Sequence, residues 1–446
     1  MQATALAVLR LALGRSWLSR PISVFVFMAV LYHGVSELIL AVPTIRANAL
    51  RLDIVEQPYI DDAALIISVA LLAAVCSYVS IARRRRPPTE LNEHGVRALA
   101  TFLDWRVTAV IAAPLIIATV RGAGYNSRAK VEAGQTSSIT TSLAWELLVT
   151  VVVITAFGIV ARYGIRWFAP ALAGQTLILA SAGQRLTLVT GAVMLSVLVY
   201  RIGLRTSRRA IALCAAVTVV AVLGITSARD ITGRGLYYED SGMGARGGAL
   251  ATGIWHLPTL DVGRVIGGAA IRFDANAYAG QVEQAFQSGA EPLGFREALE
   301  PFLVVVPKAV FPEKGAYRPR HDAIVQFGIV AGIDQIAGSI GLFLGGTGAA
   351  GLAVLMLFFG LVMAYAERWV LRDITPLRIL MLAGLVQGAA GFERGMSGIL
   401  LSVRASLILF TVLATVNLVV RRVSLRKVAR RPAVHLGLIV SASRPS

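Results

Sequence analysis

The sequence predicts an all-α polytopic membrane protein with about ten transmembrane helices and one large, partly helical extracytoplasmic loop. The chain of 446 residues is 56% hydrophobic and only 15% charged, whereas an ordinary soluble domain is about 25% charged. About ten stretches are apolar and approach the roughly 20 residues that a helix needs to cross a bilayer. Clusters of Arg and Lys follow alternate stretches, as expected of a multi-spanning membrane protein.

The apolar stretches divide the chain into four regions. Residues 1–227 hold the first seven predicted spans, 228–342 form the large loop, 343–420 hold the last three spans, and 421–446 form a basic tail. The third, fifth and sixth spans are short, so the span count between residues 105 and 200 stays open. The predicted spans are 22–42, 63–82, 107–120, 144–161, 167–183, 186–200, 210–227, 343–366, 375–392 and 397–420.

The net charge of +18 would suggest nucleic-acid binding in a soluble protein. Here the basic residues gather instead on one side of the alternating spans, in clusters such as Arg83 to Arg86 and Arg208-Arg209. The positive-inside rule then predicts that this side, and both termini with it, faces the cytoplasm. We therefore expect a lipid bilayer, and no nucleic acid, as the partner of these clusters.

The large loop is the longest segment between predicted spans, and a segment of this length is uncommon unless it has a function. Residues 228–252 are rich in Gly and Arg and predict irregular structure. Apolar residues recur at helical spacing over 262–289, so a helix is expected there until Pro292 and Gly294 interrupt the pattern. A second short helix is expected over 295–306.

Basic residues cluster in the second half of this loop. Arg suits bidentate contact with phosphate oxygens, and Lys acts as a point charge. Because the positive-inside rule does not account for basic residues on the outer side, an anionic substrate is the simplest explanation. The alternative is that neighbouring carboxylates pair with them and hold the loop together. The basic residues are Arg264, Arg272, Arg296, Lys308, Lys314, Arg318 and Arg320.

Few residues of the loop are suited to acid–base chemistry. Asp274, His321 and Asp322 lie within or beside the basic cluster, and each residue type is able to accept a proton from a hydroxyl group. There is no HExxH sequence, no Cys/His cluster and no paired-carboxylate spacing typical of a metal site. We therefore predict no metal ligands and no cofactor.

Charged and polar residues inside predicted spans form a second group of candidates, because such residues are costly in lipid. His33 and Glu37 lie four residues apart on one face of the first span. Glu393 and Arg394 lie at the outer end of the ninth span, and Arg404 lies inside the tenth. They indicate either a polar chamber that opens outward under the large loop or a buried ion pair, such as one between Glu37 and Arg404.

Several of these residues resemble a known family. The run Arg272-Phe273-Asp274, followed by Tyr278, Gly294 and the segment from Val306-Pro307-Lys308 to Pro312-Glu313-Lys314, looks like the bacterial O-antigen and exopolysaccharide polymerases of the Wzy type. The Gly-rich segment 338–346 resembles the return of the loop to the membrane in that family. The similarity covers about 80 residues, and the rest of the chain matches the family only in its hydropathy pattern.

The resemblance implies a reaction and a location. A glycan repeat unit on undecaprenyl diphosphate would be transferred to the next lipid-linked unit at the outer face of a bacterial cytoplasmic membrane, with a chain-length regulator protein as a further partner. Arg272, Lys308, Lys314 and Arg318 would hold the diphosphate, with Arg296 and Arg320 nearby in sequence. Asp274 or His321 would orient or deprotonate the acceptor.

Two alternatives remain open from the sequence. One is another polyprenyl-phosphosugar-dependent membrane glycosyltransferase or an O-antigen ligase, for which Asp61 and Asp62 in the first outer loop are candidate residues. The other is a lipid-linked oligosaccharide flippase or transporter. Transporters often contain inverted repeats, and we find no such symmetry in this chain.

Overall fold

The computed structural model describes residues 2–43, 55–82, 93–120, 138–181, 185–204, 208–232, 243–259, 275–295, 338–392 and 395–429, with residues 261, 263, 302, 306, 310–312 and 326–328. These residues form helices and short turns, with no β-strand among them. The α-helices are α1 (Gln2–Leu13), α2 (Pro21–Leu40), α3 (Gln57–Ala82), α4 (Glu93–Phe102), α5 (Trp105–Val120), α6 (Ser138–Tyr163), α7 (Phe168–Ser181), α8 (Arg185–Arg201), α9 (Arg208–Thr232), α10 (Met243–Trp255), α11 (Ala275–Gln287), α12 (Gly338–Arg372), α13 (Pro376–Ala390) and α14 (Gly395–Ala429).

Six helical segments of the described chain are long and apolar enough to cross a membrane. They coincide with the first four, the eighth and the tenth of the predicted spans. The other four predicted spans coincide with α7, α8, α9 and α13, and the fully described parts of these helices are shorter than a membrane span, so the number ten stays a prediction. The six segments are Pro21–Leu40, Gln57–Ala82, Gly95–Ile117, Glu146–Tyr163, Ile340–Arg372 and Met396–Val420.

Helix α12 shows why the chain suits an apolar environment. One face packs against the bundle and the opposite face is exposed, yet both faces carry large apolar or aromatic side chains. A helix that is apolar all round belongs in a large core or in a membrane. The buried residues are Leu352, Met356, Phe359 and Met363, and the exposed ones are Val354, Phe358, Val362, Tyr365 and Trp369.

Small residues allow the central helices to approach closely. Gly360 of α12 lies against the backbone of α3, where an added Cβ would overlap the carbonyl oxygen of Ala74. Gly388 of α13 lies in the same way against Ile399 of α14. Nearly every side chain of α13 from Ile379 to Ala390 is buried, because this short helix packs on α2, α8 and α14. Such small-residue contacts are typical of helix packing in membranes.

The bundle has two distinguishable ends. At one end, Gly280 of α11 packs on Ile60 at the beginning of α3, and Phe392, just after α13, packs on Tyr32 of α2 with ring centroids 5.2 Å apart. We call this the α11 end. At the other end, called the opposite end, the beginning of α2 meets the last turns of α3 and α12. Helix α2 therefore runs antiparallel to α3 and α12.

The structure corrects the prediction for residues 228–252. Helix α9 continues to Thr232, and α10 begins at Met243 where irregular structure was expected. The two helices pack together where Gly253 of α10 lies against Gly224 and Ala228 of α9. Gly-rich sequence has a low intrinsic helix propensity, and here tertiary packing at small residues outweighs that local preference.

Other loop predictions hold in part. Helix α11 covers the second half of the helix predicted over 262–289, and it ends before Pro292 and Gly294 as expected. Residues 264–274 and nearly all of 295–306 lie outside the described residues. Helix α12 begins at Gly338, earlier than the predicted span, and its helical geometry breaks at Gly348, where φ is 69°.

Candidate functional site

The half of α2 nearer the α11 end contains a π-helical turn from Leu31 to Val35, with His33 at its centre. Single π-turns within α-helices are rare and are frequent at functional sites. The turn widens the helix, so that its backbone oxygens are open to donors from outside. The His33 side chain is fully buried, and its ring meets the ring of Phe392 edge-on at 5.8 Å between centroids.

Asn276, the second residue of α11, inserts its side-chain amide against this turn and is completely buried. Its Nδ2 donates to the His33 carbonyl oxygen at 2.7 Å and to Glu37 Oε1 at 3.4 Å. Its Oδ1 lies 2.7 Å from His33 Nδ1. Because both partners of Nδ2 are acceptors only, the orientation of the amide is determined, and Oδ1 accepts the hydrogen of Nδ1.

This arrangement selects one tautomer of the neutral His33 imidazole. With its hydrogen on Nδ1, the ring carries an acceptor lone pair on Nε2. Nε2 is buried and has no hydrogen-bond partner within the part of the chain that the structure describes. A buried polar atom without a partner is unusual enough to require an explanation. The junction of His33, Glu37, Asn276 and Phe392 is therefore the candidate functional site, and we call it the polar junction.

A second buried cluster lies near the polar junction and was missed in the sequence analysis. Glu146 of α6 is 2% exposed, and its Oε2 accepts hydrogen bonds from Ser402 Oγ of α14 at 2.7 Å and from Gln387 Nε2 of α13. Thr150 Oγ1 donates to Gln387 Oε1 at 2.8 Å. The cluster joins three helices, and Gln387 lies little more than one turn before Phe392. The sequence could have revealed this cluster, because Glu146 is a carboxylate inside an apolar run.

A third cluster lies at the opposite end. Glu367 of α12 is buried; its Oε1 accepts from the Ile22 amide at 3.0 Å, and its Oε2 accepts from Tyr78 Oη at 2.5 Å. Arg20 Nη1 lies 3.6 Å from the same Oε2 and donates to Tyr78 Oη at 3.1 Å. Burial by itself would lower the pKa of Arg20, but Tyr78 and Glu367 outweigh that effect and hold it above its ordinary value.

This third cluster also caps a helix. Ile22 is the second residue of α2, where backbone amides lack partners within the helix. The Glu367 carboxylate supplies an acceptor from another helix, at the end where the helix dipole favours negative charge. We call Arg20, Tyr78, Ile22 and Glu367 the clamp, because they tie α2, α3 and α12 together.

The segment that follows α11 contacts the beginning of α12. The backbone amides of Leu293 and Gly294 donate to the carbonyl oxygens of Gly345 and Gly346 at 3.1 and 2.9 Å. Pro292 lies over Gly348, where α12 breaks. Because the break interrupts the hydrogen-bond ladder of α12, carbonyl oxygens just before it become available to this segment. The large loop is thus attached to the bundle on both sides of α11.

Most residues predicted for the site lie outside the described residues, so their roles stay predictions. His33 and Glu37 lie at the polar junction. Arg404 is half-buried on α14, and Glu37 contacts Asn276 rather than Arg404 among the described side chains. The predicted residues outside the description are Arg264, Arg272, Asp274, Arg296, Lys308, Lys314, Arg318, Arg320, His321, Asp322, Glu393 and Arg394.

Comparisons with known proteins find no match among protein families, characterised proteins or solved structures.

Proposed function

We propose that the chain is a polysaccharide polymerase that transfers glycan repeat units from undecaprenyl diphosphate onto a growing lipid-linked chain at the outer face of a bacterial cytoplasmic membrane. The observation that carries this proposal is the position of α11. This loop helix is inserted against buried polar residues of the bundle, and it directly follows Arg272-Phe273-Asp274 in the sequence. An apolar bundle with a loop element docked on its polar junction suits a substrate that has a lipid tail and a polar head.

The distribution of basic residues supports an orientation in which the α11 end faces outward. Described Arg residues concentrate at the opposite end, where helices of the bundle begin or end. By the positive-inside rule, that end faces the cytoplasm together with the end of α14, and the large loop lies outside. The beginning of α1 does not lie at that end, because Gln2 packs against Gly34 in the π-turn of α2. The Arg residues at the opposite end are Arg20, Arg162, Arg201, Arg372 and Arg378.

The loop sequence supports an anionic substrate. Residues 301–320 contain four basic residues, Lys308, Lys314, Arg318 and Arg320, and one acidic residue, Glu313. Fixed cations stabilise charge that develops on a phosphate leaving group, and in a site of low dielectric they do so more strongly than in water. The family resemblance assigns the diphosphate to this segment and to Arg272.

The reaction balances without a cofactor. The acceptor hydroxyl oxygen forms a bond to the anomeric carbon of the donor, and the bond from that carbon to the diphosphate oxygen breaks. The diphosphate leaves with the electron pair, and a base takes the hydroxyl proton. In this proposal Arg272, Lys308, Lys314 and Arg318 hold the diphosphate, and Asp274 or His321 takes or directs the proton.

The test is elongation in proteoliposomes. Purified protein receives a polyprenyl-diphosphate-linked repeat unit, and the products are separated by length. We expect a ladder of repeats from the wild type and loss of the ladder in Arg272→Ala, with the variant still inserted in the membrane. A wild type that adds a single sugar, or that transfers finished glycan to another lipid, would indicate a different glycosyltransferase or a ligase.

One observation favours a second candidate, a flippase for lipid-linked oligosaccharides. Transporters often bind substrate where helices are interrupted, and α12 is interrupted at Gly348. The interruption lies near the beginning of α12, at the α11 end, rather than at mid-length. In a cell that lacks the gene, single repeat units on the inner leaflet would support the flippase, whereas single units on the outer leaflet support the polymerase.

A further inference from the structure

We propose that Asn276 is a positioning residue, which holds the beginning of α11 against the π-turn of α2 in the arrangement that elongation requires. This inference rests on the proposed function. Arg272 and Asp274 precede Asn276 by four and two residues in the sequence. Asn276 therefore holds the part of α11 that is nearest in sequence to these two predicted site residues.

The contacts of Asn276 are directional. Its amide donates to the His33 carbonyl and to Glu37, and it accepts from the His33 ring, so one side chain satisfies both the backbone and the side chain of the same residue. Each bond requires an approximately linear approach. A rotation of α11 about its axis breaks all of them together. Asn276 therefore fixes both the rotation of α11 about its axis and its position along that axis.

Two other contacts, both between α11 and α3, are less specific. Gly280 packs on Ile60 of α3 with an added Cβ only 3.0 Å from the Ile60 Cγ1 atom. Gln287, at the far end, donates to Asp62 at 3.2 Å in an exposed position. Apolar packing resists separation but tolerates sliding, and an exposed hydrogen bond competes with water. Asn276, by contrast, is a buried polar anchor at the beginning of α11.

The π-turn explains how α2 recognises this amide. A regular helix presents few backbone acceptors to a neighbouring helix, because its carbonyl oxygens point along the axis to their own donors. The widened turn from Leu31 to Val35 offers the His33 carbonyl at 2.7 Å from Asn276 Nδ2. The π-turn of α2 thus provides a backbone acceptor for the Asn276 amide, in addition to the side chains of His33 and Glu37.

A reversible tether tests positioning directly. In a background in which Cys76 and Cys214 are replaced by Ala, Asn276→Leu removes the amide at similar volume. Gly280→Cys and Ile60→Cys add a pair of thiols one helical turn away. An added Cβ at Gly280 lies 3.3 Å from the Ile60 Cα atom, so the two positions are in direct contact and α11 must shift slightly to accept the new side chain. The cysteine pair is also made with Asn276 intact.

We expect Asn276→Leu to lower kcat for elongation about 100-fold, because a displacement of about 1 Å at a reaction centre has effects of that size. Oxidation of the cysteine pair should restore at least about a tenth of the wild-type kcat, since it fixes the helix again. Reduction should remove this gain. A matched pair at the far end, Asp62→Cys with Gln287→Cys, should restore much less when joined by a short bis-maleimide.

Each outcome bears on the inference. Wild-type turnover in Asn276→Leu overturns it. Loss of turnover that the near tether does not restore also overturns it, because the amide then acts on the substrate or on the fold and not through position. A docking assay separates this inference from the proposed function: the disulfide between residues 60 and 280 should form more slowly in Asn276→Leu. If wild-type protein does not elongate glycan, the polymerase proposal fails, and equal rates of disulfide formation would refute the anchor independently.

Discussion

At the opposite end of the bundle, the Glu367 carboxylate accepts hydrogen bonds from a backbone amide and a tyrosine and lies beside an arginine. At the α11 end, the His33 imidazole keeps Nε2 without a partner among the described residues, and its contact with α11 runs through Asn276. The clamp is charged and joins three helices of the bundle. The polar junction joins the bundle to a loop helix. The difference suggests that the clamp maintains the fold, whereas the polar junction serves an element whose position matters for activity.

The largest expected effect comes from breaking the clamp. Glu367→Ala leaves Arg20 without its counter-charge and the Ile22 amide without an acceptor, and the loss of one partner of a buried ion pair costs about 3–5 kcal/mol. We expect the amount of folded protein in detergent to fall sharply, measured by fluorescence-detected size exclusion. Arg368→Ala, one residue along on an exposed position, is the control. Normal yield of Glu367→Ala would remove the distinction between the two ends.

A smaller effect is expected from Tyr78→Phe. This change removes the hydroxyl that donates to Glu367 and accepts from Arg20, while the aromatic ring keeps the buried volume filled. A hydrogen bond to a charged group contributes about 1.5–3 kcal/mol, so the thermal unfolding temperature should fall. Elongation per folded molecule should stay at the wild-type value. If the unfolding temperature stays normal while elongation is lost, Tyr78 contributes to activity and not to the stability of the fold.

A still smaller effect is expected at the Glu146 cluster, where Thr150→Val tests whether the cluster serves the fold or the activity. The change removes a hydroxyl that binds both Gln387 and the backbone of Glu146 at almost constant volume. We expect a loss of about 1 kcal/mol in the free energy of unfolding, measured by denaturant titration in detergent. If elongation falls about tenfold or more at unchanged stability, the Glu146 cluster contributes to activity, as proposed for the polar junction.

The smallest effect is expected at the exposed far end of α11. Gln287→Leu removes the hydrogen bond to Asp62, and exposed surface contacts contribute within about 0.5 kcal/mol. Stability and elongation should both remain at wild-type values. This variant is the counterpart of Asn276→Leu on the same helix, so a strong effect here would show that α11 is held along its whole length and not by its buried anchor.

Much of the fold follows from hydropathy. A run of apolar residues bounded by Arg predicts a helix and its direction, because lipid leaves the backbone no partner except itself. The six membrane-length helical segments of the described chain therefore lie where long apolar runs lie. The prediction of irregular structure was wrong for residues 228–232 and 243–252, since the packing of Gly253 on Gly224 brings together two helices, which a local pattern does not show.

The candidate site was less accessible from sequence. His33 and Glu37 were found because polar residues stand out in an apolar run, and the same rule applied to α6 and α12 would have found Glu146 and Glu367. Asn276 gave no such signal, since it lies in a polar loop among other polar residues. The π-turn gave none either, because a single widened turn leaves no clear mark on hydropathy.

The sequence alone determined that this chain is helical and apolar and where its basic residues gather, because each of these properties depends on residues that are neighbours along the chain. Tertiary structure decided that Asn276 meets His33, that Glu367 caps α2, and that Glu146 is shared by three helices. These contacts join residues separated by 240 or more positions, and only the packing of the helices brings such residues within hydrogen-bonding distance.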